Sequence, residues 1–290
     1  MPSPAEPNPA DRSAWAVFLI FLRLGLTSFG GPVAHLGYFR TEFVVRRRWL
    51  GEAAYADLVA LCQFLPGPAS SQVGMAIGLS RAGYAGAFAA WAGFTLPSAI
   101  ALVLFSLGLA SVGDAVAPGA LHGLKVVAVA VVAQAVWAMA RSLCPDALRR
   151  TLMLASAALL LFWPGTAAQL FAMAAALLGL ALLRPPADAP HEALAMPVGR
   201  RAGAAWLALF FALLLGLPLL AAALPTQTLA LVDAFYRAGA LVFGGGHVVL
   251  PLLQAEVVPT GWVSQDAFLA GYGATQAVPG PLFTFAAFLG

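Results

Sequence analysis

Apolar residues run through most of the chain in long stretches that only short polar segments interrupt. A membrane-spanning helix needs about 20 such residues in succession. Five stretches reach or approach that length, and they lie at 83–110, 119–140, 148–163, 165–183 and 204–224. The pattern predicts an all-α integral membrane protein that crosses the bilayer several times.

Four further apolar stretches are too short to span, and each ends at a motif of Gly and Pro. They are 14–29 before Gly30-Gly31-Pro32, 55–65 before Pro66-Gly67-Pro68, 229–243 before Gly244-Gly245-Gly246, and 267–278 before Pro279-Gly280-Pro281. Irregular backbone is tolerated at membrane depth only where protein or a water-filled cavity satisfies its polar groups. We therefore predict broken or re-entrant helices at these four motifs.

The motifs belong to an internal repeat. The segment FLRLGLTSFGGP, which begins at Phe21, recurs as FYRAGALVFGGG from Phe235, 214 residues later. The register then slips by one residue, after which Gln63 and the first Pro-Gly-Pro match Gln276 and the second. The matches fall on Gly, Pro, Arg and Gln, whereas chance similarity between apolar segments would match Leu and Ala. A duplicated set of interrupted helices is typical of secondary transporters.

The arginines indicate the orientation of the two copies, because cytoplasmic loops collect Lys and Arg. Arginine-bearing loops lie near 40–48, 81, 141–150 and 184–201. With 55–79 as a re-entrant hairpin, five crossings separate the copies, and an odd number inverts the second copy. In agreement, Arg46-Arg47-Arg48 of the first copy match the stretch 254–266, which has no Lys or Arg.

These patterns divide the chain into four segments. They are a disordered Pro-rich tail at 1–13, a first repeat at 14–183, a cytoplasmic linker at 184–203 and a second, incomplete repeat at 204–290. The tail lacks the basic start of a cleaved signal peptide. Since the second copy stops directly after its Pro-Gly-Pro motif, we expect either a fragment of a longer protein or a homo-oligomer in which a partner protomer completes the fold.

Composition supports a membrane location and excludes several function classes. Only 9% of the residues are charged, against about 25% in soluble domains. The net charge of +3 comes from loop residues and does not form a nucleic-acid-binding face. The sequence has no recognisable hydrolase triad, nucleotide-binding glycine loop or metal-ligand cluster, and Cys62 and Cys144 lie far apart. We predict no enzymatic activity, no cofactor and no metal site.

The interrupted helices predict an anion site. A helix that begins inside the membrane directs unpaired N–H groups and the positive end of its dipole at whatever lies ahead of it. Proline suits the first turn of such a helix, because its missing N–H would have no partner there, and we predict this position for Pro32, Pro68 and Pro281. The backbone candidates are Gly30, Gly31, Pro32, Gly67, Pro68, Gly244, Gly245, Gly280 and Pro281. The alternative interpretation is that these motifs only allow kinks or close helix packing.

Arg23 and Arg237 occupy equivalent positions in the two copies, inside apolar helices. An arginine at membrane depth costs at least about 2.5 kcal/mol on insertion scales and usually faces a cavity or a partner. Its guanidinium can bind an oxyanion through two hydrogen bonds. Asp233 offers Arg237 an ion pair four residues away, whereas the matching position before Arg23 is Leu19. Arg23 is therefore the stronger candidate.

Four polar side chains stand beside the Pro-Gly-Pro motifs. Ser70 and Ser71 follow Pro68 and add hydroxyl donors near that helix end. Gln63 and Gln276 precede the two motifs by the same interval, where an amide can touch the ligand or cap exposed backbone. We include all four in the predicted substrate site.

The combined motifs resemble those of the chromate ion transporter family, in its long two-domain form. They are FLRLGLTSFGGP, the Arg-rich loop and CQFLPGPAS, repeated as FGGGHVVLPLL and TQAVPGPLF. The resemblance covers about residues 15–290 and implies a multi-pass carrier of the bacterial inner membrane that exports chromate, with sulfate as competitor or exchange partner. The residues alone predict only an anion. A carrier of sulfate or another small oxyanion, and a non-transporting membrane subunit or scaffold, are the alternative interpretations.

Overall fold

The structure, a computed structural model, describes residues 13–112, 146–163, 196–242 and 249–290, with single positions between 119 and 194. Every regular element in this part of the chain is helical, which confirms the all-α prediction. The helices are α1 Ala14–Thr27, α2 Gly31–Phe39, α3 Glu52–Phe64, α4 Ala69–Val112, α5 Ala147–Phe162, α6 Arg200–Ala223, α7 Gln227–Ala240, α8 Val249–Val257, α9 Gln265–Ala277 and α10 Phe285–Leu289. A π-helix, Arg40–Arg46, continues α2, and a 3₁₀ turn, Leu282–Thr284, precedes α10.

Two of the described helices are long and apolar enough to cross a membrane, namely Ala69–Gly108 within α4 and Arg200–Ala223. They correspond to the predicted spans 83–110 and 204–224. The predicted span 148–163 corresponds to α5, which has 16 residues. The spans at 119–140 and 165–183 lie almost wholly outside the described residues, so the number of crossings stays a prediction.

Helices end and begin at three of the four Gly and Pro motifs, and the fourth, at 244–246, lies outside the described residues. α1 ends at Thr27, and α2 begins at Gly31 behind a left-handed Gly30 with φ 98°. Pro32 lies in the first turn of α2, as predicted.

Pro68 and Pro281 correct that prediction, because each stands directly before its helix and not in the first turn. The residue before a proline is sterically disfavoured in the right-handed helical region. Gly67 and Gly280 meet this restriction with left-handed backbone, at φ 118° and 110°. The two motifs thus form the same glycine turn at a helix start.

The long helix α4 consists of two antiparallel parts. Ala82 and Gly83 have non-helical dihedral angles, and a Cβ placed on Gly86 would overlap the carbonyl oxygen of Gly78. Residues eight apart in one straight helix lie about 12 Å apart along the axis, so this contact requires the chain to reverse. The first part, 69–81, therefore forms a hairpin with the second part, 84–112.

The chain divides into two compact units, one from Met1–Ala128 with His191–Gly290 and one from Val129–Pro190. The described residues of both copies of the repeat motifs lie in the first unit. Two hydrophobic clusters form its interior, and several of their positions are related by the repeat. Leu24, Phe39, Phe43 and Tyr55 belong to the first cluster, and the equivalent Ala238, Leu253, Val257 and Phe268 belong to the second.

Glycines set the contact between α1 and the second part of α4. A Cβ on Gly25 would lie 2.7 Å from the Gly93 carbonyl oxygen, and one on Gly93 would lie 2.6 Å from the Phe18 carbonyl oxygen. Small residues of this kind let two helix backbones approach closely in a membrane protein. The equivalent glycine in the second copy, Gly239, has no atom within 4 Å of its added Cβ.

We expect Gly25→Ala to destabilise the protein by about 1–3 kcal/mol, because the new methyl group overlaps backbone that cannot move aside. Gly239→Ala is the matched control, and it should be neutral or slightly stabilising, since alanine favours a helix by about 1 kcal/mol over glycine. Thermal unfolding in detergent would compare the two variants. Equal melting temperatures would contradict the close α1–α4 contact.

Candidate functional site

Two backbone hydrogen bonds join the helix breaks of one copy to those of the other. The Gly67 N–H donates to the Val242 carbonyl oxygen at 2.7 Å, and the Gly280 N–H donates to the Ser28 carbonyl oxygen at 3.0 Å. Ser28 and Val242 are equivalent residues directly before the Phe-Gly-Gly motifs. Each Pro-Gly-Pro motif is therefore bonded to the end of the first broken helix of the other copy.

The space around both glycines is filled by polar side chains. A Cβ on Gly67 would lie 2.6 Å from Gln72 Nε2, and one on Gly280 would lie 2.6 Å from Ser98 Oγ. Gln72 Nε2 donates to the Pro66 carbonyl oxygen at 2.7 Å and so satisfies backbone that the break exposes. The capping role predicted for a glutamine at this motif is therefore filled by Gln72, from inside α4.

The predicted side chains next to the motifs differ in burial. Ser70 is buried and Ser71 half-buried in the first turn of α4, whereas Gln63 is exposed at the end of α3. Gln276 is half-buried and interacts with the Tyr272 hydroxyl, and its Nε2 has no partner of its own. The structure brings the serines to a helix start but leaves Gln63 on the surface.

The two equivalent arginines have different surroundings. Arg237 Nη2 lies 2.9 Å from Asp233 Oδ2 and 3.2 Å from a Glu256 carboxylate oxygen, so two acids balance its charge. The Asp233 ion pair is the one that the spacing offered. Arg23 lies on the exposed face of α1 with Leu19, and its guanidinium makes no ion pair with the described residues. Of the two, Arg23 is thus the arginine available to an anion.

The carboxylate of Glu42, like that of the equivalent Glu256, is ion-paired with arginine. Arg46 Nη1 lies 2.9 Å from one oxygen of Glu42, and Arg47 Nε lies 2.6 Å from the other. The Trp49 ring lies beside these arginines, with the Arg81 guanidinium 4.7 Å from its centroid. These contacts stabilise the Arg-rich loop and place no unpaired acid beside the helix breaks.

Two buried polar residues at the first break, Ser28 and His35, were not included in the predicted site. Both are 0% exposed, and neither the Ser28 hydroxyl nor either His35 nitrogen has a hydrogen-bond partner of acceptable geometry. The His35 ring packs edge-on against Phe94, with centroids 5.2 Å apart, and lies beside the Ser28 backbone. The signal in the sequence is a mismatch between the copies, because the equivalent positions are Val242 and Val249.

A separate cavity of about 770 Å³ lies within the second unit. Its lining is mainly apolar, with two arginines and one cysteine, and consists of Ala133, Val136, Trp137, Ala140, Arg141, Cys144, Arg150 and Met153. It contains none of the predicted site residues.

Comparison with known proteins gives a family match. Residues 15–181 and 229–290 match the family described as "Chromate transporter". The "Chromate transport protein" of Pseudomonas aeruginosa is 29% identical over 98% of this chain and 68% of its own length. The "Probable chromate transport protein" of Synechococcus elongatus is 28% identical over 93% and 67%, and the "Chromate transport protein" of Cupriavidus metallidurans is 27% identical over 94% and 66%.

The chain therefore spans about two thirds of the length of these relatives. No solved structure matches it significantly.

We expect Gly280→Ala to disrupt the contact between the copies. In the left-handed backbone conformation of Gly280, a residue with a side chain lowers the stability of the protein by about 1–2 kcal/mol. The new methyl group also overlaps the Ser98 hydroxyl. Gly261→Ala is the control, since Gly261 has φ 74° but no atom within 4 Å of an added Cβ. Thermal unfolding should show a larger loss for Gly280→Ala, and equal losses would mean that backbone strain alone matters.

Proposed function

The chain belongs to the chromate transporter family, and from this premise we propose that it moves chromate across the membrane, out of the cytoplasm, with sulfate competing or exchanging. Proteins of this family are membrane transport proteins and not enzymes. The names of the relatives support chromate as the substrate. The direction and the relation to sulfate are our inference from the resemblance of the motifs.

The observation that carries the mechanism is the reciprocal bonding of the helix breaks. Gly67 of the first copy bonds to Val242 of the second, and Gly280 of the second bonds to Ser28 of the first. A two-fold axis that exchanges the copies would generate this pattern, whether it lies in the membrane plane, as in inverted repeats, or along the membrane normal. The pattern supports a substrate site where the copies meet, whereas the inversion is supported by the Arg-rich loop of the first copy, whose equivalent in the second copy has no Lys or Arg.

The proposed anion site lies at the starts of the broken helices. α2 starts at Gly31 and α4 at Ala69, and the 3₁₀ turn of the second copy starts at Leu282. Each start carries the positive end of its peptide dipoles, equivalent to about half an elementary charge for a full helix. Ser70 and Ser71 add hydroxyl donors at the α4 start. We place the oxyanion among these groups near the middle of the membrane.

Arg23, whose side chain is exposed and lies outside the buried helix starts, is the cation that we assign to the approach of the anion to the site. It lies on α1, close before the break at Ser28, and no described acid neutralises it. Arg237 is already paired with Asp233 and Glu256, so we assign it the role of holding α7 to α8 beside the site.

The remaining elements of the proposal concern location and assembly. We propose that the chain crosses the bacterial inner membrane several times with its Arg-rich loop, 40–48, in the cytoplasm. A homo-oligomer is compatible with this arrangement. A carrier of another small oxyanion would share every feature above and differ in substrate alone, whereas a non-transporting subunit or scaffold has no need of helix starts that meet at the centre.

We expect Arg23→Gln to reduce chromate uptake into everted membrane vesicles at least about tenfold, because hydrogen bonds to charged groups contribute about 1.5–3 kcal/mol. Everted vesicles have the cytoplasmic face of the membrane on the outside, so export by the carrier is measured as uptake into the vesicles. Unlabelled sulfate should compete with labelled chromate in the unsubstituted protein. Arg200→Gln, which removes an exposed arginine at the start of α6, should transport normally.

Each other outcome of this assay has a definite meaning. If sulfate inhibits the uptake of labelled chromate, but this uptake does not saturate as the chromate concentration rises, the result would favour a carrier of another oxyanion. Absence of uptake by correctly inserted protein would contradict transport and favour a subunit.

We expect the equivalent loops of the two copies to lie on opposite sides of the membrane. Single cysteines at Val45 and Thr260, both exposed, would be introduced into a chain that lacks Cys62 and Cys144. A membrane-impermeant maleimide should label Thr260→Cys in intact cells and Val45→Cys in everted vesicles. Labelling of both sites from one side would contradict the inverted repeat.

A further inference from the structure

Buried polar groups at the start of α2 form no hydrogen bond of good geometry with the described residues, although the His35 ring lies against the Ser28 backbone. They are the Ser28 hydroxyl and both nitrogens of His35. Each buried polar group without a hydrogen bond costs about 1–3 kcal/mol. A bound anion would accept a hydrogen bond from the Ser28 hydroxyl and one from an imidazole nitrogen, while the other nitrogen lies against the Ser28 backbone.

The His35 ring and Ser28 lie together at the start of α2. His35 lies four residues after Gly31, so both are on the same face of α2, and side chains of a helix lean toward its N-terminus. The imidazole therefore points back along α2 to its first turn, where it lies beside the Ser28 backbone. Gly30, the residue before α2, has no side chain to cap the helix.

Packing alone does not explain these residues. The equivalent positions in the second copy hold Val242 and Val249, which are 0% and 2% exposed. The fold thus accommodates an apolar residue at both places, with no unpaired polar atoms. The first copy thus has polar residues at two positions where the second copy shows that the fold accepts valine.

The charge of the site is also informative. The titratable and charged side chains on the elements around α2 are directed elsewhere or already have partners. Arg23 on α1 is exposed, and Cys62 and Asp57 lie on α3. The others have partners: Glu42 binds Arg46 and Arg47, Arg40 binds Glu52, Tyr55 donates to the Leu36 carbonyl oxygen, and Arg81 lies over Trp49. None of these groups forms a hydrogen bond or ion pair with His35. A helix start supplies only about half a positive charge, which is far too little for a buried dianion.

We propose that Ser28, His35 and the first turn of α2 bind the transported oxyanion, and that His35 takes up one proton when the anion enters. This inference rests on the proposed function and deepens it. The Ser28 hydroxyl and the imidazolium each donate a hydrogen bond to an anion oxygen, and the proton comes from the aqueous side. The empty site holds a neutral imidazole, so the carrier moves one proton with each oxyanion.

The second copy fixes one wall of this site. Gly280 donates its N–H to the carbonyl oxygen of Ser28 and so holds the serine in place. Ser98, whose hydroxyl donates to Thr95, lies against Gly280, and Phe94 of the same helix packs on His35.

Isothermal titration of the full chain in detergent with sulfate, at pH 7.5 in two cationic buffers of different ionisation enthalpy, tests the inference. The difference in heat between the buffers gives the number of protons taken up. An unperturbed histidine, with a pKa of about 6.5, is mostly neutral at this pH. We therefore expect uptake of about one proton per sulfate bound by the unsubstituted protein.

His35→Val and Ser28→Val copy the residues of the second repeat, so both variants should fold and melt at the same or a higher temperature. We expect each to bind sulfate at least about tenfold more weakly, the loss of one hydrogen bond to a charged group. His35→Val should also abolish proton uptake, whereas Ser28→Val should retain it. His191→Gln, in the linker, should change neither quantity.

Unchanged affinity and proton uptake in His35→Val would overturn the inference and leave the proposed function intact. Binding by the unsubstituted protein without proton uptake would overturn the coupling to His35. If the folded, unsubstituted protein binds neither sulfate nor chromate, the proposed function fails together with the inference.

Discussion

Backbone N–H and C=O groups at the interrupted helices are the constraint on which the rest of this structure depends. In an apolar surrounding, each such group left without a partner costs several kcal/mol. The two copies resolve this cost for each other, since Gly67 bonds to Val242 and Gly280 bonds to Ser28. These bonds run from each copy to the other, so the duplicated motifs form one unit and not two domains.

The second part of α4, 84–112, is the element that ties this unit together. Gly93 contacts α1 and Phe94 contacts His35, whereas further along the helix Ser98 meets Gly280 and Phe105 packs on Phe288. The same helix thus reaches both hydrophobic clusters. Its small residues set how closely the broken helices approach, because two backbones can touch only where no Cβ intervenes.

The copies share a scaffold but differ in their polar groups. Arg237 is neutralised by Asp233 and Glu256, whereas Arg23 has no described acid beside it. Ser28 and His35 of the first copy match two buried valines of the second. Equivalent positions preserve the architecture, because both copies must pack in the same way. The unequal positions are where function can reside, since a site for one ion needs its charged and polar groups only once.

The sequence by itself determined the helical class, the internal repeat of motifs, the three helix breaks that lie among the described residues and the Asp233–Arg237 ion pair, because each depends on local pattern or on spacing along one helix. It placed Pro68 and Pro281 one residue too far into their helices, since a pattern locates a helix boundary only to within one or two residues. Only the tertiary structure decided which break bonds to which, that Gln72 and not Gln63 caps the first Pro-Gly-Pro motif, and that Ser28 and His35 are buried without partners. These facts depend on contacts between residues up to 252 positions apart in the chain, such as Ser28 and Gly280, and periodicity along a single segment carries no information about them.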